Sequence, residues 1–368
     1  MSDRTERYRV AIVGAGSIAG HRHVPALRAH GDRTELVAVV DVDGDRAAAF
    51  AAEHGVAHHH TDVGAMLAEH RPDLVVVCTP PAAHRAGVAA CLEAGAWVWC
   101  EKPPVLSLAE YDELTALERD GGPYVGYVFQ HRFGSAAQAL RRQIADGALG
   151  RPLVGVCHTL WYRDHAYFEV PWRGKWDTEG GGPTMGHGIH QMDLMLSLLG
   201  DWEEVRAMMG TLDRAVETED VSLAAVRFAS GALVSVVNSV LSPREESYLR
   251  LDFTDATVEV SHLYGYGNSD WRWTPRAGVA DPGWRPTDDV RSSHTAQLAH
   301  HLRAMDRRER PPASGADGRR SMELITGLYQ SAITGRPVLR SELVPGNPFY
   351  DRLDGGGRYA PETAEVAR

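Results

Sequence analysis

The chain has 368 residues, which is long for one domain, so we expect two. Its 43% hydrophobic and 24% charged residues are typical of a globular protein, and a net charge of -11 argues against nucleic acid or an anionic membrane as a partner. The polar start, the lack of any apolar run of roughly twenty residues and four cysteines without metal-ligand spacing together predict a cytoplasmic protein with reduced core thiols.

Short apolar strands alternate with helical patterns through the first third of the chain. The predicted strands are residues 8–13, 36–40, 58–60, 74–78, 97–100 and 124–129. Most of these strands are apolar throughout, which is expected when helices cover both faces of a parallel sheet. The pattern predicts a doubly wound parallel sheet of the α/β class over residues 1–128.

The pattern changes near residue 150. Further strands are predicted at residues 154–162, 221–228, 232–240, 249–253 and 257–260, and helices at residues 135–146, 188–199, 292–307 and 321–334. The strands at 221–228 and 232–240 are separated by Ser230-Gly231, as in an antiparallel hairpin. Residues 129–368 are therefore predicted to form an α+β domain with a mainly antiparallel sheet, joined to the first domain through the helix at 135–146.

A glycine-rich turn directly follows the first strand. Gly14 permits a tight turn, Gly16 lets a pyrophosphate approach the backbone, and Ala19 keeps the next helix close to the sheet. Asp41 closes the second strand, where a carboxylate accepts ribose hydroxyls and repels a 2′-phosphate. We predict NAD rather than NADP as the cofactor, although a turn that merely needs glycine is the alternative. The predicted contacts here are Gly14, Gly16, Ser17, Ile18 and Asp41.

Glu101-Lys102-Pro103 follows the fifth strand, at the edge of the sheet where open α/β folds bind ligands. A lysine there could hydrogen-bond a substrate hydroxyl, and partial burial together with a nearby positive nicotinamide ring would lower its pKa. The proline restricts the residue before it to extended backbone, and a cis bond would aim the side chain. An ordinary surface lysine is the alternative.

A second chemical signal follows the glycine turn at residues 180–182. His190 and Asp193 are three residues apart on a predicted helix and share a face, so the carboxylate could orient an imidazole that acts as acid or base. A histidine that merely caps the helix start is the alternative. The predicted catalytic residues are Lys102, His187, His190 and Asp193.

Aromatic and basic residues precede the same turn. Aromatic rings stack on the apolar face of a sugar, and cationic side chains donate to its hydroxyls, so the predicted substrate contacts are Trp161, Trp172, Arg173, Trp176 and His187. Packing of these tryptophans at a domain junction or an oligomer interface is the alternative.

Three consecutive histidines, His58 to His60, suggest a metal site at first sight. Neighbouring residues of a strand point to opposite faces and cannot chelate one ion together. The sequence also has no H-E-x-x-H motif and no cluster of Cys and His, so we predict no metal.

Taken in order, these motifs resemble those of the glucose–fructose oxidoreductase / inositol dehydrogenase (Gfo/Idh/MocA) family. The resemblance covers nearly the whole chain and rests on residues 14–20, Asp41, residues 79–84, Glu101-Lys102-Pro103 and residues 188–193. It implies a Rossmann domain, and a C-terminal open sheet that often mediates homodimers or homotetramers. It also implies redox chemistry at a secondary alcohol of a sugar, cyclitol or related small molecule.

The resemblance also assigns roles to residues. Lys102 contacts the reacting hydroxyl and His190 is its acid/base partner, while the cofactor site is lined by Thr79, Pro80, His84 and Glu101. Two positions depart from the family pattern: many members have Asp where this chain has Gly186, and Asn where it has Pro81. His187 stands beside the missing acid and is a candidate substitute.

The sequence alone therefore leaves three candidate functions. The leading one is an NAD(P)-dependent sugar or cyclitol dehydrogenase. The second is an NAD-dependent glycosidase that oxidises a sugar carbon transiently and accumulates no NADH, and the third is a non-catalytic NAD sensor. The retention of both Lys102 and His190 argues against the sensor.

Overall fold

The computed structural model describes residues 7–280, 283–357 and 359, and these form two compact units. The first unit contains the chain up to residue 105 together with residues 110–128 and 294–318. The second contains residues 106–109, 129–293 and the chain from 319 onwards. The segment 294–318 thus packs with the N-terminal unit, whereas the sequence analysis placed it in a C-terminal domain of residues 129–368.

The first unit is built on a six-stranded sheet. All of its neighbouring strands are parallel, in the order β3-β2-β1-β4-β5-β6. The strands are β1 (Tyr8–Val13), β2 (Thr34–Val40), β3 (His58–His60), β4 (Leu74–Val77), β5 (Trp97–Cys100) and β6 (Val125–Tyr127). The predicted doubly wound parallel sheet is confirmed, and the order places the end of β1 between the ends of β2 and β4.

The second unit is built on an eight-stranded sheet in the order β13-β12-β11-β7-β10-β9-β8-β14. Its strands are β7 (Pro152–Tyr162), β8 (Trp202–Gly210), β9 (Val221–Phe228), β10 (Leu233–Ser239), β11 (Leu241–Phe253), β12 (Ala256–Ser261), β13 (Trp271–Pro275) and β14 (Val338–Leu339). Every pairing is antiparallel except that of β10 with β7, which confirms the predicted mainly antiparallel sheet. The sequence analysis missed β8, β13 and β14.

The described residues contain ten α-helices. They are α1 (Val24–Ala29), α2 (Gly44–His54), α3 (Val63–His70), α4 (His84–Glu93), α5 (Leu108–Leu117), α6 (Ser135–Ala145), α7 (Ile189–Leu199), α8 (His294–Arg307), α9 (Gly315–Thr334) and α10 (Pro348–Asp351). Acidic N-caps begin two of them, because Asp43 accepts from the Arg46 N–H and Asp62 from the Ala65 N–H. In the part of the chain that the structure describes, no helix combines the length and apolar character needed to cross a membrane.

Helix α8 lies in the first unit because of its apolar stripe. Leu298, Leu302 and Met305 recur at helical spacing and belong to the same buried core as the residues of β1. Asp306, at the end of the stripe, accepts a hydrogen bond from the Tyr8 hydroxyl at 2.9 Å. Both carboxylate oxygens of Asp306 also accept from the Arg33 guanidinium. A segment distant in sequence therefore completes the core of the N-terminal unit.

Candidate functional site

The turn after β1 requires glycine. Gly14 has φ of 98°, and a Cβ there would lie 2.8 Å from the carbonyl carbon of Cys78. Among the described residues, apart from its two chain neighbours, none has a heavy atom within 4 Å of the place where a Cβ on Gly16 would be, so its backbone is open to a close ligand. The chain then enters one wide π-helical turn, Ala19–His23, before α1. The open backbone at Gly16 fits the pyrophosphate of a dinucleotide.

Asp41 ends the neighbouring strand and is held by the same turn. Its Oδ2 accepts from the Ala15 N–H at 2.9 Å and its Oδ1 from the Asp43 N–H at 3.0 Å. A carboxylate offers about four lone-pair sites, so both oxygens can still accept ribose hydroxyls. Arg46 approaches Oδ1 at 3.4 Å but also pairs with Asp43 at 2.9 Å, so two carboxylates balance this single cation. The arrangement fits NAD.

His84 joins the loops that follow β4 and β5. Its Nδ1 lies 2.8 Å from the Pro103 carbonyl oxygen and its Nε2 lies 2.8 Å from that of Thr79. The ring is completely buried. Through these contacts His84 fixes the backbone of two loops that are predicted to line the cofactor site, one beside Pro80 and the other beside Lys102.

Two histidines form hydrogen bonds with the carboxylate of Glu101. Its Oε1 lies 2.8 Å from Nε2 of His23 and 3.2 Å from Nε2 of His294, and its Oε2 accepts from the Lys102 N–H at 3.2 Å. Burial raises the pKa of Glu101, but hydrogen bonds and charge from the two histidines outweigh it and hold the pKa well below its usual range. Glu101 is therefore an ionised anchor for the backbone of Lys102.

The sequence analysis missed His23 and His294. His23 lies in the π-helical turn after the glycines, and His294 begins α8, 193 residues from Glu101. No spacing rule connects positions so far apart. Lys102 itself is partly buried, and the Lys102–Pro103 peptide bond is cis.

In the second unit, a buried carboxylate organises the turn that carries His187. Glu219 accepts from the Gly182 and Thr184 N–H groups and from the Tyr329 hydroxyl, each at 3.0 Å. Burial raises the pKa of Glu219 to about 7 despite these hydrogen bonds. Thr184 begins the π-helical turn Thr184–Gly188, which runs directly into α7. Glu219 thus caps the segment that leads to His190.

His190 lies near the start of α7 within a group of rings. Its ring centroid is 5.4 Å from that of His131 and 5.5 Å from that of Tyr264. His131 stacks on Tyr266 at 4.5 Å, and the Tyr266 hydroxyl donates to the Gln191 side chain at 2.7 Å. His190 is only 5% exposed, so packing holds its imidazole in place.

Asp193 pairs with an arginine. Its Oδ2 accepts from Arg132 Nε at 2.6 Å, its Oδ1 accepts from Arg132 Nη2, and Ser321 donates to Oδ1 at 2.8 Å. The structure places this carboxylate, fully buried, in a bidentate ion pair with Arg132, and its predicted role toward His190 stays a prediction. Its contribution is therefore to fix α7 against the loop before α6 (Ser135–Ala145), since Arg132 lies in that loop.

His187 heads a chain of polar contacts. Its Nε2 lies 3.3 Å from the Tyr167 hydroxyl, which accepts from Arg173, and Arg173 pairs with Glu179 at 3.3 Å. Glu179 Oε1 also lies 3.6 Å from the place where a Cβ on Gly186 would be. A carboxylate from another part of the chain therefore occupies the neighbourhood in which many family members have Asp.

The predicted aromatic residues separate into different surroundings. Trp161 is buried, meets the His187 ring edge-on at 5.1 Å and donates to Ser247 at 2.9 Å. The Trp172 ring stacks with the Arg173 guanidinium at 4.3 Å. Trp176 packs on Tyr329 and donates to the Glu217 carbonyl at 3.0 Å, so its indole nitrogen is engaged by the backbone.

The predicted site residues fall into two groups. The first unit brings the cofactor group together at the ends of β1, β2, β4 and β5, and it adds His23 and His294. The second unit brings His187 and His190 together with rings and polar side chains that sequence reasoning missed, namely His131, Tyr167, Glu179, Tyr264, Tyr266 and Glu219. Two of these residues had a sequence signal, because His131 lies in the family-like segment after the sixth predicted strand and Glu219 directly precedes the predicted hairpin.

Comparisons with known proteins agree with this division. The family profile "Oxidoreductase family, NAD-binding Rossmann fold" matches residues 8–128, and the "GFO/IDH/MocA C-terminal domain" profile matches residues 137–265. The N-terminal domain is thus an NAD-binding Rossmann domain, and the predicted NAD cofactor is confirmed.

Individual relatives span nearly the whole chain. It is 30% identical to the D-glucoside 3-dehydrogenase of Escherichia coli (strain K12), covering 90% of this chain and 97% of that protein. It is 26% identical to the myo-inositol 2-dehydrogenase of Thermotoga maritima, covering 91% and 99%. The WlbA dehydrogenase from Bordetella pertussis, solved in complex with NADH and UDP-GlcNAcA, matches with a TM-score of 0.82 at 27% identity, covering 91% and 99%. The chain therefore belongs to the Gfo/Idh/MocA family of oxidoreductases.

Proposed function

We propose that this protein is an NAD-dependent dehydrogenase that oxidises a secondary alcohol of a sugar, a cyclitol or a related small molecule. The observation that carries the proposal is the lysine at the edge of the NAD-binding sheet, anchored through an ionised and buried Glu101. The relatives named as glucoside and inositol dehydrogenases support this class of substrate.

The chemistry needs a hydride acceptor and a place for one proton. NAD⁺, held by the Gly16 backbone and the Asp41 carboxylate, supplies the acceptor when bound. The Lys102 ammonium donates to the substrate hydroxyl oxygen and stabilises the negative charge that develops on it. His190 takes the hydroxyl proton on its imidazole. The carbinol carbon loses a hydride and its hydroxyl oxygen loses a proton, which leaves a carbonyl group.

The polar chain around His187 positions and relays this proton. His187 and Glu179 together supply the acid/base groups that the glycine at 186 lacks, with Tyr167 between His187 and Arg173. Trp161 and Trp172 present ring faces and edges to the sugar, and Arg173 donates to its hydroxyls or to a carboxylate. Asp193 acts through the placement of α7 and Trp176 through the packing of the loop.

The test is a screen of polyols, aldoses and aryl glycosides with NAD⁺, followed by nicotinamide absorbance. We expect steady NADH formation with at least one sugar or cyclitol. Lys102→Ala should lower turnover roughly 100-fold or more while NAD⁺ affinity stays nearly unchanged, because the lysine acts on the reacting hydroxyl. Lys175→Ala, at an exposed lysine of the other unit, is the matched control.

Two other results would reject the proposal. Release of a leaving group from an aryl glycoside, dependent on NAD⁺ but without NADH accumulation, would establish a glycosidase. Tight NAD⁺ binding without any turnover across the screen would establish a sensor.

The proposal extends to assembly and location. One face of the second sheet exposes apolar side chains, among them Met208 on β8, Leu223 on β9 and Leu233 on β10. Because such a face is unusual on an isolated protein, we assign it to a homodimer or homotetramer interface. All four cysteines are free and buried, which suits a reducing cytoplasm.

A further inference from the structure

A cluster of metal-ligating side chains lies outside the site described above, at the edge of the six-stranded sheet. Strand β3 is the edge strand, and its alternation sends His58 and His60 to one face and His59 to the other. The last turn of α3 brings two more candidate ligands to that face. The four side chains, called the edge cluster from here on, are His58, His60, Glu69 and His70.

The ligand atoms of the edge cluster converge on Nε2 of His70. This atom lies 2.8 Å from Nε2 of His60 and 3.6 Å from Oε1 of Glu69. Ligand atoms of His58, Glu69 and His70 all lie within 4.8 Å of one another. Zinc bonds of about 2.0–2.1 Å place tetrahedral ligands roughly 3.3 Å apart, and the His60–His70 and Glu69–His70 distances lie on either side of that spacing.

The backbone beneath the cluster is already fixed. The carbonyl of His70 accepts two hydrogen bonds from the Arg9 guanidinium, at 3.0 and 3.2 Å. On the strand side, the His60 carbonyl accepts from the Asp41 N–H at 3.1 Å. The ligands therefore come from rigid elements, which favours binding because less freedom is lost.

The chemistry of the donors selects the kind of ion. Three imidazoles and one carboxylate suit Zn²⁺, Ni²⁺ or Cu²⁺, whereas Mg²⁺ and Ca²⁺ prefer oxygen ligands. Glu69 is exposed and His58 is exposed, so an ion can reach the cluster from solvent.

We propose that the edge cluster binds one divalent transition-metal ion, of which Zn²⁺ is the representative. The ion ties edge strand β3 to the end of α3. The sequence analysis rejected a metal here because neighbouring strand residues diverge, and that argument holds for His58 and His59. It overlooked that His58 and His60 share a face and that a helix supplies the remaining ligands.

The test uses full-length, tag-free protein freed of metal by a chelator. Titration calorimetry with ZnCl₂ measures affinity, and thermal unfolding measures the shift in Tm. We expect Zn²⁺ to bind and raise Tm, and MgCl₂ to do neither. His58→Ala, at an exposed position that tolerates substitution, should weaken Zn²⁺ binding roughly tenfold or more and abolish the Tm rise.

His59→Ala is the matched control, since it removes an exposed imidazole from the same strand but from the opposite face. It should bind Zn²⁺ as the unaltered protein does. Equal affinity in the two variants would overturn the proposal. So would an affinity of His58→Ala equal to that of the unaltered protein, because it would locate the ion elsewhere, for example at the buried group of His23, Glu101 and His294.

Discussion

At the scale of single residues, we propose that Asp41 decides the choice between NAD and NADP. Its two oxygens hold the backbone of the glycine-rich turn and of the chain that follows β2. Its charge also faces the place where NADP would carry a 2′-phosphate. The same carboxylate thus shapes the turn, and we propose that it also discriminates between the two nucleotides.

Asp41→Asn tests this assignment, because Asn keeps one oxygen for the turn and removes the charge. We expect kcat/KM for NAD⁺ to fall roughly tenfold to 100-fold, as when a hydrogen bond to a charged group is lost. The ratio of NADP⁺ to NAD⁺ efficiency should rise. Steady-state kinetics with both nucleotides give the result, with exposed Asp45→Asn as control. An unchanged ratio would contradict the role of Asp41.

At the scale of elements, buried carboxylates fix the segments that carry the site. Glu101 is held ionised by two histidines, whereas Glu219 meets neutral N–H and O–H donors, and burial raises the pKa of Glu219 to about 7. Interactions with His23 and His294 outweigh burial at Glu101, whereas the hydrogen bonds from the Gly182 and Thr184 backbone to Glu219 do not offset its burial.

The raised pKa of Glu219 predicts a dependence of stability on pH. The folded state holds the proton of Glu219 more tightly than the unfolded chain does. The contribution of Glu219 to the free energy of unfolding therefore falls by roughly 3 kcal/mol as the pH rises from about 4.5 to about 7. Urea unfolding at about pH 5 and about pH 8 measures the free energy of unfolding. Glu219→Gln should lack the part of the pH dependence that Glu219 causes, even if the variant is more or less stable than the unaltered protein at both pH values.

Glu217→Gln is the control for that comparison, since Glu217 is exposed and two residues away. It should show the same pH dependence as the unaltered protein. If Glu219→Gln also showed it, Glu219 would not be the titrating group.

At the scale of the whole molecule, the proposed homo-oligomer depends on the exposed face of the eight-stranded sheet. Met208 is 76% exposed and lies opposite Leu223, which is 50% exposed. Paired apolar side chains on neighbouring strands of a solvent-facing sheet are unfavourable in a monomer. A second copy of the chain would bury them.

The double variant Met208→Glu, Leu223→Glu tests the interface. Two like charges at opposed strand positions repel one another and oppose burial. Light scattering should give a multiple of 40.2 kDa for the unaltered protein and 40.2 kDa for the variant. Val344→Glu, at an exposed apolar residue of the same unit, should keep the assembled mass. A monomeric unaltered protein would refute the interface.

The sequence by itself determined the parallel sheet, the glycine turn and the acidic end of β2. Each depends on neighbours in the chain: apolar runs mark buried strands, and Gly14 is required by the local backbone. The family membership followed from the same local motifs. Strand β8 was missed because Glu203, Glu204 and Arg206 obscure its apolar pattern, which only the exposed sheet face explains.

Tertiary structure alone decided which side chains meet. His294 reaches Glu101 because α8 packs on the first sheet, and Arg132 forms an ion pair with Asp193 across 61 residues of chain. His70 meets His58 because a helix returns beside the edge strand. Such contacts join residues whose separation along the chain carries no periodic signal, so they follow only from how the elements pack.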